Sequence, residues 1–410
     1  MVLLSKNIYQ KFVGDKKILS ELERSSPTLT ISIPELPNNA FNATVWNTST
    51  EIPSIAIRLE NTNDVPIISS DGSENVMDAK YVPGFPVIVL KESERVIAES
   101  DQSFKNSKTK EFKNNRGQKY KFISDNFDSK SNRNKRIIGT NEIDPKLITA
   151  YNTYAGSDGW QRDQIYYNIT PSQNRGEFDN NFEETVTSFS MIGDPWAAYY
   201  KVADQSDDPH SENYRGNSSQ PHWTDGAFEF KIISLVNAKS GVGPTIETYF
   251  SVPPSQLFNL HYRQASHNWF GKDKYELDNV TFASDQISLN LPIIKWNWEN
   301  YAVAIKMSFE EVDVSTTETS TNVHSTKFAG NFEINAAVSK KVGLKFGASL
   351  AIDNSQTHVR VISLVNDKLG DVIVDFGDNV VNSVSGNSVD IKDYYIGNYA
   401  RFNIVPKKVF

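Results

Sequence analysis

From Lys327 to Asp353 the chain reads KFAGNFEINAAVSKKVGLKFGASLAID. The apolar residues fall on even numbers: Phe328, Phe332, Ile334, Ala336 and Val338, then Val342, Leu344, Phe346, Ala348, Leu350 and Ile352. Outside the central Ser339-Lys340-Lys341, the odd positions hold Lys327, Asn331, Glu333, Asn335, Lys345, Ser349, Asp353 and otherwise only Ala and Gly. A two-residue period belongs to a strand with two unlike faces. Pairing the arms about Lys340 sets Val338 beside Val342, Ala336 beside Leu344, Ile334 beside Phe346 and Phe332 beside Ala348. Opposed residues of an antiparallel pair share a face. The pattern therefore predicts a hairpin of 328–338 and 342–352 with Ser339, Lys340 and Lys341 at its tip. A one-residue slip of either arm would mix the faces, so the pattern specifies the register. Each arm at ~3.3 Å per residue reaches about 36 Å, or about 25 Å of bilayer thickness when tilted by about 45°. That matches the apolar band of a membrane β-barrel, whereas globular strands average ~5–6 residues.

The rest of the chain reads mainly as strand and polar turn. Residues 5–23 carry Ile8, Phe12, Ile18, Leu19 and Leu22 at helical spacing behind Ser5, which predicts a short amphipathic helix. TLTISI (28–33), SIAIRL (54–59) and FPVIVLKESERVIAE (85–99) read as strands, the last as a hairpin. QIYYNIT, FSMI, FEFKIISLV, ISLNLPIIKW, YAVAIKMSFEEVD, THVRVISLV and DVIVDFG extend that reading. ISLVNAKSG (233–241) and ISLVNDKLG (362–370) match at seven of nine positions, each ending a strand in an Asn-to-Gly turn. They are expected to form the same strand-turn hairpin. The expected fold is all-β: elongated antiparallel β-sandwich domains, a long amphipathic hairpin and a short N-terminal helix. The expected divisions are a β module over 1–99, a basic linker or exposed loop over 100–137, a β-sandwich with long polar loops over 138–275, and a C-terminal β domain over 276–410 carrying the 328–352 hairpin.

Composition sharpens this picture without changing it. The 410 residues carry a formal net charge of -8. Lys105 to Arg136 holds eleven Lys and Arg against Glu111, Asp125 and Asp128, a local +8 that leaves the rest of the chain at -16. An acidic body with one basic connector is not the footprint of a nucleic-acid binder. The absence of cysteine excludes disulfides and thiolate metal sites. The opening residues have no apolar run long enough for a secretory leader, so the export route is open.

Enzyme templates are missing. There is no GxSxG, HExxH, phosphate-binding P-loop or GxGxxG, and the six histidines show no metal-binding spacing. The chain is read as a non-enzyme. Asp204, Asp207, Asp208, Glu212 and Asp225 share one loop region and make calcium the candidate ion, against a solvated acidic loop that binds nothing. No cofactor is required. Trp160 and Trp223 are candidate ligand-binding aromatics, against burial as loop anchors. Arg133, Lys135 and Arg136, in the run RNKR, offer a tryptic or furin-like cleavage site, against a plain charged linker.

VSTTETSTNVHST (314–326) is polar on both faces and runs directly into the amphipathic hairpin. A Ser/Thr-rich strand leading into such a hairpin resembles the pore-forming module of aerolysin-like β-pore-forming toxins, over about residues 301–366. The resemblance implies a secreted, elongated, all-β protein. It implies a target-cell membrane or surface receptor as partner, homo-oligomerisation when active, and insertion of one hairpin per subunit. Arg133 to Arg136 becomes the implied activation site. The alternative is a non-enzymatic secreted or surface β-sandwich binding module for a glycan or protein ligand, stabilised by calcium.

Overall fold

The computed structural model describes most of 16–409; outside the described residues lie 1–15, 34–46, 58–63, 128–142, 204–226, 313–321, 328–356, 363–367, 410 and several stretches of up to four residues. The protein is predominantly β, with several antiparallel sheets.

Two four-stranded sheets share the main core. In the first, Phe182–Met191 lies between Ile287–Ile294 and Ala400–Lys408, with Asp393–Ile396 at the far edge. The second runs Gly241–Val252, Phe228–Ala238, Tyr301–Glu311, Lys368–Asp375. Both are antiparallel throughout. Alternation makes them pack: Phe228, Phe230 and Ile232 point into the core and are fully buried, while Glu229 and Lys231 between them take the opposite face. Across the gap, the Phe189 ring lies 5.0 Å from Phe230 and 5.2 Å from Phe250, and Phe309 lies 4.7 Å from Phe402. Rings at these separations gain from edge and offset contacts beyond the area they bury.

Short helices close the ends of this core. Pro145–Tyr154 and Pro195–Val202 begin alike, with Asp144 and Asp194 capping a helix whose first residue is proline. Gln161–Tyr167 ends on Asn168 at φ 53°, whose N–H donates back to the Gln164 carbonyl. The apolar and aromatic run predicts strand across QIYYNIT. Here tertiary packing overrides the β-propensity of Ile and Tyr, because Ile165, Tyr166 and Tyr167 are all buried against the main core.

The N-terminal part builds a five-stranded sheet in the order Leu29–Ser32, Val87–Glu92, Ser54–Ile57, Val65–Ile68, Glu74–Met77. One pair, Ser54–Ile57 with Val87–Glu92, is parallel. Strand Tyr81–Pro83 leaves this module to pair with Lys272–Phe282 of a long hairpin whose other arm is Phe258–Trp269. Gly84 makes the junction possible, since a Cβ there would stand 2.5 Å from the Tyr275 ring and 2.9 Å from the Asp273 carbonyl. Lys16–Ser25 is helical and runs two residues past the 5–23 of the sequence reading, whose residues 5–15 lie outside the described residues.

Two hairpin expectations are corrected. Val87–Glu92 and Val96–Ala98 are both strands, but the first joins the five-stranded sheet and the second pairs with Lys119–Phe122. That second pairing, with Glu111–Lys113 beside it, builds a three-stranded sheet partly inside the segment 100–137. The repeated ISLVN motif also divides. Its first copy is a hairpin in which Ala238 pairs with Gly241. In the second copy, Thr357–Ile362 pairs with Asn322–Lys327, and Lys368–Asp375 pairs with Tyr301–Glu311. The strands flanking the second copy thus belong to two different sheets, and 363–367 between them lie outside the described residues.

Candidate functional site

Tyr301–Glu311 and Lys368–Asp375 are neighbours in the second sheet, with Ala304 opposite Asp375 and Glu310 opposite Lys368. Everything between them is one excursion that leaves and re-enters the sheet on adjacent strands. Inside it, Asn322–Lys327 pairs antiparallel with Thr357–Ile362, from Asn322 opposite Ile362 to Lys327 opposite Thr357. Every pair joins two odd or two even numbers, and the midpoint of the ladder is Val342. In sequence, 328–356 lie between the two strands of this ribbon, outside the described residues.

The root of the excursion carries buried charge. Glu229 is fully buried on the outer face of the second sheet and pairs with Arg95, whose side chain is 16% exposed. The Glu229 carbonyl accepts the N–H of Val312, the residue at which the excursion begins, at 2.8 Å. The Arg95 carbonyl in turn accepts from Ile123, and the Phe127 ring sits edge-on to Tyr249 at 5.7 Å. The N-terminal chain is therefore seated on the sheet beside the point where the excursion starts. On the return strand, Asp371 accepts from Ser308 at 2.6 Å and Lys368 at 2.8 Å, with Lys306 at 3.1 Å. Burial works to raise the Asp371 carboxyl, but the Lys368, Ser308 and Lys306 contacts outweigh it and hold the group below its ordinary value.

A second buried pair lies deeper. Arg162 and Glu184 are both fully buried and meet through two parallel hydrogen bonds of 2.7 and 3.0 Å. Arg162 also donates to the Asp378 carbonyl at 3.1 Å, and Tyr166 donates to Glu184 at 3.2 Å. Burial opposes the charge on Arg162, yet Glu184 prevails and keeps the guanidinium protonated. Burial, reinforced by Glu184, drives the Tyr166 hydroxyl well above its ordinary value and keeps it a donor. Asp378 holds the site's outer rim, accepting from Lys392 and Tyr394 at 3.0 Å each. With Arg162 and Glu184 sealed from solvent, this network orders the helix Gln161–Tyr167 on the sheet.

Sequence reasoning missed both pairs. Glu184 was findable: it shares a parity with Phe182, whose side chain is buried, so a charge falls on an apolar face. Arg95 offers no comparable signal.

Of the residues singled out from sequence, Trp160 is described. It is 3% exposed, its ring 6.1 Å from Phe376, and a Cβ at Gly377 would stand 2.8 Å from it. Its indole is thus part of the core. Trp223, the acidic group Asp204, Asp207, Asp208, Glu212 and Asp225, the basic run Arg133, Lys135 and Arg136, and the hairpin 328–352 with its tip lie outside the described residues. Among the described residues no group of three or more His, Asp or Glu is placed to hold a metal ion, and no helix is long and apolar enough to cross a membrane.

No protein-family model, no curated protein and no solved structure matches the chain.

Proposed function

We propose that the protein is a secreted pore former. It binds a target-cell surface, oligomerises, and inserts 328–352 of each subunit into a membrane β-barrel. The two sheets that share the core are read as an elongated β-sandwich that carries the hairpin. The observation that carries the proposal is the antiparallel ribbon at the base of the excursion. Its register joins like parities, the condition under which the even-numbered apolar residues of 328–352 fall together on one face. Continued without a bulge, the ribbon would turn about Val342 rather than Lys340, setting Ile334 opposite Leu350 instead of Phe346. The face is the same in either register.

The test is dye release from liposomes, before and after limited trypsin treatment. A positive charge near the barrel midplane costs about 2–4 kcal/mol per subunit on the lipid face and little on the lumen face. Ile334→Arg and Phe346→Arg are expected to abolish leakage, while Asn335→Arg and Ser349→Arg leave pores of altered ion selectivity. In inserted oligomers a disulfide between Ile334→Cys and Leu350→Cys marks the Val342 register, and one between Ile334→Cys and Phe346→Cys the Lys340 register. A well-folded, trypsin-nicked protein that releases no dye from any membrane, with apolar-face variants impaired in stability alone, ends the proposal.

The second reading, a surface-binding β module that makes no pore, is favoured by a polar face on the first sheet.

A further inference from the structure

The outer face of the first sheet is organised around its edge. Asp393 and Tyr395 lie two apart on the edge strand and point the same way. Their partners across the ladder are Asn403 and Arg401, and the next strand sets Ser188 beside Asn403 and Ser190 beside Arg401. Six side chains thus form a plaque of two rows on three strands, roughly 10 by 7 Å from sheet spacings.

Hydrogen bonds lock the plaque. Arg401 donates from Nη1 to Asp393 at 2.8 Å and from Nε to Ser190 at 3.0 Å. Asn403 donates to Asp393 at 2.8 Å and to the Lys392 carbonyl at 2.8 Å, and Ser188 donates to its amide oxygen at 2.5 Å. Gln286 adds a longer bond to Asp393 at 3.3 Å. The network leaves capacity to spare. A guanidinium has five N–H donors, and those of Arg401 not pointed at Ser190 and Asp393 are unengaged among the described residues. A carboxylate has about four acceptor sites, and three donors reach Asp393. Beside them Tyr395, a large side chain, is 57% exposed, and its hydroxyl makes no hydrogen bond among the described residues.

We propose that this plaque binds a neutral sugar. An exposed ring offers an apolar face to the C–H side of a pyranose. Arg401 can donate to one hydroxyl while Asp393 accepts from its neighbour, which suits a vicinal diol. Because Arg401 and Asp393 neutralise each other, the plaque has no net charge to favour an anionic group. The side chains are already held in place, so binding orders little. This site would supply the surface-binding step of the proposed function and would operate without a pore. Sugar binding and leakage therefore fail separately.

The experiment is saturation-transfer NMR on the full chain with the methyl glycosides of glucose, galactose, mannose and N-acetylglucosamine, followed by an immobilised oligosaccharide panel. At least one neutral glycoside is expected to receive saturation. Tyr395→Ala should weaken binding tenfold or more with an unchanged melting temperature, since the ring is exposed, and Tyr395→Phe should retain most of it. Arg401→Lys, which keeps the charge and loses the planar fork, should weaken it as well. No saturation of any glycoside and no bound oligosaccharide, or binding that Tyr395→Ala leaves intact, overturns the assignment.

Discussion

Among the described residues two arginine–glutamate pairs are taken out of water, and they do different work. Arg162 and Glu184 are both fully buried, meet through two hydrogen bonds, and have a tyrosine hydroxyl and a backbone carbonyl completing their environment. Arg95 and Glu229 meet on the outer face of the second sheet, with the arginine 16% exposed, and tie the N-terminal chain to the strand beside the excursion. The first pair joins elements of one core. The second joins two parts of the chain that the hydrophobic effect alone would hold less specifically, since the outer sheet face that receives Arg95 also carries Lys231, Glu247, Lys306 and Asp371. Burial depth sets the strength of such a pair, and what it connects sets its consequence.

The largest effect is expected at the deeper pair. Arg162→Met leaves Glu184 as an uncompensated charge in the core, and Glu184→Leu does the same to Arg162. Each should cost about 3–5 kcal/mol. The double variant should recover much of this, because apolar residues of similar volume often replace a buried ion pair at little cost. A residue of about 1–3 kcal/mol should remain, because the Tyr166 hydroxyl and the Asp378 carbonyl lose their partners. Urea unfolding of the two single variants and the double closes the cycle. Single losses below about 1 kcal/mol would mean that the site relaxes or hydrates, and the contrast between the pairs would disappear.

Arg95→Ala is expected to cost about 2–3 kcal/mol: Glu229 is left as a buried charge, but removing a partly exposed arginine opens a path by which water reaches it, so the loss is smaller than at the deeper pair. Its more telling consequence is local. The Glu229 carbonyl holds the Val312 N–H, so loosening Glu229 should speed hydrogen exchange at Val312 while Phe189 and Phe230 in the core stay protected. Arg95→Lys keeps the charge and should show a smaller change. Unchanged exchange at Val312 in Arg95→Ala would show that the pair does not brace the root of the excursion.

What the sequence disclosed follows from how local each signal is. Strands whose two faces differ were legible, as in Phe228–Ala238 and Ile287–Ile294, because alternation is printed in the residues themselves. The helices at Pro145 and Pro195 carry a local signal too, an Asp-Pro pair in cap and first position. QIYYNIT misled because buried helix and strand carry the same apolar residues, and only the surrounding core decides between them. The FPVIVLKESERVIAE hairpin failed for a related reason: two strands close in sequence look paired, and partner choice is a long-range matter. Most remote of all was the Tyr395 plaque. Its side chains come from three strands, and Ser188 meets Asn403 only through a bulge after Val186. Of the excursion, the parity was readable in the chain, whereas its exit and return on adjacent strands required the sheet order.

The smallest effect is a pH dependence near the excursion's return. Asp371 is held below its ordinary carboxyl value by Lys368, Ser308 and Lys306. A carboxylate depressed in the folded state stabilises fully above its unfolded pKa of about 3.9. That contribution is lost as the pH falls through the lower folded value. Asp179, depressed by Lys146 and the Asn181 amides against the opposing pull of burial, acts in the same acid window on the other side of the comparison, near the deep pair. Asp371 keeps 29% of its side chain exposed, so its share is about 1 kcal/mol or less. Asp371→Asn and Asp179→Asn should each flatten part of the fall in melting temperature below about pH 4, by about 2–4 °C per kcal/mol. Both should leave the profile between pH 5 and 8 unchanged. They should differ in where the acid opening begins. Asp179 variants should expose the helix Pro145–Tyr154, which carries Lys146, and Asp371 variants should expose the amides of Lys368–Asp375. Acid profiles of Asp371→Asn that superpose on the wild type would remove Asp371 as a brace of the return strand and leave Arg95 and Glu229 as the ionic anchor of the root.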